Sequence, residues 1–263
     1  MRLTVLGKSP SWEDAGGACS GYLLEQQGHA VLLECGNGVF AKLRLYRDYR
    51  TVSAVVVSHF HGDHVLDLVP FSYALTYSPR RRPDEQRPRL LAPPRTRERL
   101  RTIASTFEDP ELVERAFDIV EYAPDGEFRL GPFLFRTRSV PHFTDTFALA
   151  VNSQDQAETG SETRFVFGAD CGPSRELVEF ARGASVLMLE ATLIEPEAPD
   201  PGRRRGHLTP REAGEHAQAA GVERLVLTHI SDEVDPAWAR AEAEAAFAGE
   251  VVVAHEGLVI DLV

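Results

Sequence analysis

Cysteine is scarce in this chain. Three occur in 263 residues, Cys19, Cys35 and Cys171, and none belongs to a Cys-x-x-Cys pair. That excludes a disulfide framework and predicts reduced, partly buried thiols. Long apolar runs are also missing. No stretch of eighteen apolar residues occurs, which excludes a membrane-spanning helix. Met1 to Lys8 turns polar too early for a signal peptide and reads as a first strand, so a cytoplasmic protein is expected. Positive charge is in deficit: 28 Lys and Arg against 40 Asp and Glu leave a net charge of −12. Such an excess argues against broad, charge-driven binding to nucleic acid or membranes. No internal repeat of fixed period is present. What remains is a chain whose apolar content, 43%, is enough for a real core. Its length suits one large α/β sandwich spanning residues 1–263.

Histidine is unevenly distributed. His59-Phe60-His61-Gly62-Asp63-His64 places three imidazoles and a carboxylate in six residues, directly after the apolar run Ala54-Val55-Val56-Val57-Ser58. The run reads as a buried strand. In an extended loop, side chains at i and i+2 share a side, so His59 and His61 can grip one ion. Asp63 and His64 follow the Gly62 turn and can face a second. Imidazole and carboxylate suit zinc and similar divalent metals. A lone loop histidine is usually just solvated, but four ligand-type residues packed behind a hydrophobic strand would crowd one another without a cation.

Further candidates follow other strands. Val140-Pro141-His142 ends a strand and fits completion of the His59/His61 site, although by itself it would be an ordinary loop histidine. Gly168-Ala169-Asp170-Cys171-Gly172 ends another. Asp170 there is either a turn former or a carboxylate bridging two metals, and Cys171 is a weaker, soft-ligand option. Leu225-Val226-Leu227-Thr228 leads into His229. His207 stands just before Thr209-Pro210-Arg211-Glu212, a capping box with Pro at the first helical position. Helices are expected over 39–46, 96–103, 110–117, 175–182, 210–220 and from Asp235-Pro236 to near Gly249. The Gly/Ser/Pro-rich loop 7–21 should border the site, and the Cys35-Gly36-Asn37-Gly38 turn should cross close to the histidine loop. His255 has no partner pattern and reads as surface.

Charge is also local. Nine arginines (80, 81, 82, 87, 89, 95, 97, 99 and 101) lie between positions 80 and 101, and Arg203-Arg204-Arg205 form a second cluster. Either could attract a phosphate-bearing substrate, or be a plain solvated face.

Taken in order, His59-x-His61-x-Asp63-His64, His142, Asp170 and His229 resemble the metallo-β-lactamase superfamily over nearly the full chain. The resemblance implies an α/β fold, a four-layer αβ/βα sandwich with two face-to-face sheets and outer helices. It implies a dinuclear centre with His59, His61 and His142 on one metal, Asp63, His64 and His229 on the other, and Asp170 between them. The metals would be zinc, with manganese as the alternative. Within the superfamily the chain is most similar to the ribonuclease Z-like branch. Gly62 precedes Asp63 as in those enzymes. Leu189-Glu190-Ala191-Thr192 resembles their His-Glu-Ala-Thr segment, with Leu189 in place of His. Gly206-His207-Leu208-Thr209 and Leu227-Thr228-His229-Ile230-Ser231 match their closing pattern. His207 would then be the proton donor, oriented by Glu190, and a homodimer is implied.

The polar hairpin 152–162 is too short for the arm that holds tRNA in that branch, and the net acidity favours a small substrate. The expected activity is a metal-dependent phosphodiesterase acting on a small or cyclic nucleotide-type phosphodiester. A metal-bridging hydroxide would attack, with Asp63 accepting a proton or orienting it. The alternatives are a carboxylic ester, lactone or thioester hydrolase on the same metals, an RNA 3′-processing endonuclease, and a non-enzymatic RNA-binding or scaffold protein.

Overall fold

The computed structural model describes residues 1–81, 86–153, 165–198 and 204–262. Two seven-stranded sheets carry the fold. The first contains β1 (Arg2–Gly7), β2 (Gly21–Gln26), β3 (His29–Leu33), β4 (Ala54–Val56), β5 (Arg89–Ala92), β6 (Asp118–Glu121) and β14 (Val259–Asp261), in the order β14-β1-β2-β3-β4-β5-β6. The second contains β7 (Glu127–Leu130), β8 (Phe133–Val140), β9 (Thr146–Ser153), β10 (Phe165–Phe167), β11 (Val186–Glu190), β12 (Arg224–Thr228) and β13 (Glu250–Val253), in the order β13-β12-β11-β10-β9-β8-β7. Each sheet has an antiparallel half and a parallel half. β3 through β6 and β10 through β13 are the parallel runs.

The apolar strands face two ways, and strand alternation sorts their side chains into layers. Tyr22 and Leu24 of β2 point into the core between the sheets, with Val56, Phe135, Leu149, Phe167 and Val226. Leu23 between them points outward, with Leu32 and Val55, under helices α1 (Val39–Tyr46), α3 (Leu68–Tyr77), α4 (Thr96–Ser105) and α5 (Leu112–Ala116). A third core joins the outer face of the second sheet to α6 (Arg175–Ala181), α7 (Pro210–Ala220) and α8 (Pro236–Glu244). Helix, sheet, sheet, helix is the expected four-layer sandwich.

Local chemistry explains most boundaries. Gln27 (φ 50°) and Gly28 (φ 81°) form the tight turn between β2 and β3, where two left-handed residues match the twist of a hairpin. Thr209 and Glu212 complete the capping box of α7, and Gly221 (φ 65°) ends it. Two expectations need correction. The last helix stops at Glu244 rather than near Gly249, because the chain turns to bury Phe247 against the outer core. The three cysteines are wholly, not partly, buried and unpaired. The hairpin over 154–162 and Arg203 lie outside the described residues.

Ser58, Val140, Phe167, Glu190 and Thr228 sit at or just beyond the carboxyl ends of β4, β8, β10, β11 and β12. Both sheets therefore deliver their following residues to one edge of the sandwich.

Candidate metal centre

Three strand ends turn towards that edge through left-handed backbone at non-glycine residues: Glu34 (φ 61°), Ala169 (φ 58°) and His229 (φ 51°). Such positions cost about 1–3 kcal/mol each and concentrate at functional sites. A short helix α2 (Gly62–Val65) begins at the Gly62 turn and swings Asp63 and His64 inward. The Cys35–Gly38 turn braces it, as Cys35 N–H donates to the His64 carbonyl at 2.9 Å. A side chain at Gly36 would come within 1.8 Å of the Asp63 carbonyl, so glycine is required there. The loop after β1 also meets the site edge: Lys8 Nζ donates to the Ile230 carbonyl at 2.8 Å.

Seven side chains converge in two adjoining groups. His59, His61 and His142 form one, and Asp63, His64, Asp170 and His229 the other. Within each, one ligand atom per residue lies within 4.8 Å of the rest. His61 Nδ1 is 3.1 Å from both His59 Nε2 and His142 Nε2. His229 Nε2 is 3.1 Å from Asp63 Oδ2 and 3.2 Å from Asp170 Oδ2. Asp170 Oδ2 is also 3.4 Å from His64 Nε2 and 3.8 Å from His59 Nε2, which puts it between the groups. Ligands about 2.0–2.1 Å from a tetrahedral ion sit roughly 3.3 Å apart, close to these spacings.

The outer nitrogens explain why the inner ones need a cation. His64 Nδ1 donates to Glu34 Oε2 at 3.1 Å, and His142 Nδ1 to the Gly206 carbonyl at 2.8 Å. His59 Nδ1 is 3.0 Å from Ser58 Oγ, and His229 Nδ1 is 2.8 Å from Thr192 Oγ1. Each outer contact fixes the tautomer that aims the other nitrogen's lone pair inward. His64 Nε2 is fully buried with no hydrogen-bond partner. A buried lone pair facing other lone pairs is costly, and a divalent ion removes that cost. The donor set fits zinc-type ions.

Electrostatics agree in the first group and differ at His64. There burial is outweighed by Asp170, Asp63 and Glu34, which raise the ring well above its ordinary pKa, so an ion there would displace a proton. Burial, reinforced by the neighbouring His64, pushes the His59 ring well below its ordinary pKa, and burial brings His142 down to about 4. Both therefore favour the neutral form that binds metal. Burial opposes ionisation of Asp63 and Asp170, but His229 and His64 outweigh it and hold both carboxyls well below their usual range.

Next to this cluster, His207 Nδ1 donates to Glu190 Oε1 at 2.9 Å. Burial disfavours the charged ring, yet Glu190 outweighs it and raises the His207 pKa to about 9. Glu190 is itself almost wholly buried and held from four sides. Besides His207, it accepts from Cys171 N–H (2.8 Å), Leu208 N–H (3.2 Å) and the Thr192 hydroxyl (2.6 Å).

The seven candidate ligands, with Glu190 and His207, therefore reach this edge, whereas the Cys171 thiol is in neither ligand group. His255 is exposed. Glu34 and Thr192 were missed as site residues. A glutamate closing the apolar run of β3 was the available signal, since a carboxylate is almost never fully buried without a partner.

A model of the β-lactamase superfamily domain matches residues 29–230. The chain belongs to this superfamily. A probable metallo-hydrolase of Bacillus subtilis, YhfI, is 28% identical over 98% of this chain and 99% of its own. Its crystal structure, a metallo-β-lactamase fold, superposes with a TM-score of 0.82 at 26% identity, covering 98% of both chains. Ribonuclease Z of Thermobifida fusca is 30% identical, covering 97% of this chain and 92% of the enzyme. A diphosphatase of the PhnP family shares the fold with a TM-score of 0.70 at 18% identity, covering 99% of this chain and 97% of its own. This superfamily member is a metal-dependent hydrolase, and the metallo-β-lactamase fold implies divalent ions at the His/Asp cluster. Among the described residues, no helix is long and apolar enough to cross a membrane.

Proposed function

We propose that the protein is a phosphodiesterase acting on a small, nucleotide-type phosphodiester with two zinc ions. His59, His61 and His142 would hold one ion, and Asp63, His64 and His229 the other, with Asp170 between them. The ions would supply Lewis acidity, an acidified water and charge stabilisation on the phosphoryl oxygens.

The observation that carries this reading is the Glu190–His207 pair beside the cluster. A phosphodiester needs its leaving oxygen protonated, and a histidine with a pKa near 9 holds a proton at neutral pH. Glu190 fixes the ring through Nδ1, leaving Nε2–H to donate. The ring lies 5.0 Å, centroid to centroid, from the candidate ligand His142, within reach of a substrate seated on that ion. Asp63, ionised and at the cluster, would orient the attacking water.

Phe143 supports an aromatic or nucleobase leaving group. Its ring is 42% exposed, 5.0 Å from the His142 ring and 5.6 Å from the His207 ring. A side chain at Gly206 would strike it at 2.4 Å, so glycine there leaves the ring its seat. A group leaving towards His207 would pass over Phe143. RNA 3′-processing, the alternative raised by the resemblance to the ribonuclease Z-like branch, is less well supported. The alignment with the Thermobifida enzyme spans 305 positions against 263 residues here, so that enzyme has segments with no counterpart in this chain.

The test is hydrolysis of bis(p-nitrophenyl) phosphate by zinc-loaded protein beside His207→Ala and Asp63→Ala. Wild-type turnover supports the reading. His207→Ala should lose about 10²–10⁴ on an ester with an alkyl or nucleoside leaving group but much less here, because p-nitrophenolate leaves without a proton. No wild-type turnover, with two metals tightly bound, would redirect attention to lactones and thioesters.

A further inference from the structure

The arginine-rich segment is not uniform. Arg80 pairs with Asp48, Arg95 with Glu98, and Arg97 and Arg101 share Glu114. Arg99 lies over the Phe60 ring. Arg87 and Arg89 differ. Each donates to a backbone carbonyl instead, Arg87 to that of Glu114 at 2.7 Å and Arg89 to that of Arg129 at 3.4 Å. Together with Arg129 they line a cleft of about 430 Å³, with His29 in its wall. Among the described residues, none of the three guanidiniums has a carboxylate partner and Asp118 is the only acidic group lining the cleft.

The cleft lies far from the chemistry described above. His29, Arg89 and Asp118 open β3, β5 and β6, and Ser53 immediately precedes β4. These are the amino ends of the parallel strands, whereas the histidine cluster follows the carboxyl ends. The opposite wall is the β7–β8 turn, fixed where Gly131 (φ 55°) packs on the His29 ring. A side chain at Gly131 would come within 2.6 Å of His29 Nδ1.

We propose that this cleft is a second anion site, separate from the metal centre, which takes a small molecule bearing a phosphate dianion. Three guanidiniums held together in a chain of net charge −12 repel one another. Tethering two of them through backbone carbonyls spends one N–H each and leaves the remaining donors of the fork for a ligand. Guanidinium forks match phosphate oxygens in charge and geometry. The volume falls in the range of about 300–1,000 Å³ typical of small-molecule sites and accommodates a nucleoside monophosphate. Leu130 gives the cleft an apolar patch beside the cations.

The test uses zinc-loaded protein and AMP, which contains no phosphodiester to hydrolyse. Bound AMP is counted by equilibrium dialysis for wild type, Arg89→Gln/Arg129→Gln and, as a milder variant, Arg87→Gln. Melting temperature is recorded for each. The expected result is a loss of one bound equivalent in the double variant and at least about tenfold weaker binding at that site in Arg87→Gln. Inhibition of hydrolysis by AMP, which reports the metal centre, should stay unchanged. If both folded variants bind as much AMP as wild type, the cleft is not an anion site. If AMP inhibition weakens in step with binding, the arginines act at the metal centre and the second site is refuted. The count does not depend on which ester the enzyme cleaves.

Discussion

Thr192 is the most informative side chain at the residue scale. One hydroxyl proton goes to Glu190 at 2.6 Å, which leaves Oγ1 to accept from His229 Nδ1 at 2.8 Å. The proposed proton donor His207 and the candidate ligand His229 are thus both tied to one buried carboxylate. Replacing Thr192 by Val breaks the link with little change in volume. We expect metal affinity at the Asp63/His64/His229 position to fall roughly 10–100-fold, measured by chelator competition. Thr192→Ser should restore it. His207 sets the pH response. Its pKa is raised to about 9 from the ordinary imidazole value of about 6.5, so the donor form persists past neutral pH and is lost as pH rises through 9. The kcat profile should therefore have an alkaline limb near pH 9 that is absent in His207→Ala. At Phe143, substitution by Ala should raise KM for aryl phosphodiesters roughly tenfold while leaving methyl esters nearly unchanged.

At the element scale, α7 holds the chemistry in place from outside it. Its capping box is Thr209 Oγ1 accepting from Glu212 N–H at 3.2 Å, and Glu212 Oε2 accepting from Thr209 N–H at 3.0 Å. Arg205 reaches the same Glu212 through two contacts, 2.6 and 2.8 Å. His207 lies inside this clasp. Thr209→Ala should cost about 1 kcal/mol in a denaturant titration and lower kcat more than it raises KM, because the donor loses its fixed position. The capping box was legible because its two residues, Thr209 and Glu212, are only three apart in sequence. The left-handed turns at Glu34, Ala169 and His229 were not, since nothing in those residue types demands positive φ. They follow from two sheets having to send loops to one point.

On the scale of the whole molecule, the centre joins the two sheets. His59, His61, Asp63 and His64 come from the first sheet, and His142, Asp170 and His229 from the second. An ion bound there links both halves of the sandwich and binds only the folded chain. At about 1,000 times its dissociation constant, an ion adds roughly 4 kcal/mol of stability. Chelation should therefore lower Tm by roughly 10 °C in calorimetry, reversibly on adding zinc. A Tm unmoved by chelator and by added zinc would contradict a metal centre of this kind.

The sequence by itself determined the candidate ligands and, through the family resemblance they carry, the layer architecture. Each ligand segment is announced locally by the hydrophobic strand just before it, as Val57 and Ser58 announce His59. Glu190 and His207 were also legible, through their resemblance to a known pattern. Only the tertiary structure decided which nitrogens face inward, because tautomers are set by partners distant in the chain: Glu34 for His64, Gly206 for His142, Thr192 for His229. It also divided the arginines. Charge in sequence does not reveal whether a carboxylate or a carbonyl will lie opposite: Arg97 meets the Glu114 side chain, whereas Arg87 meets its backbone.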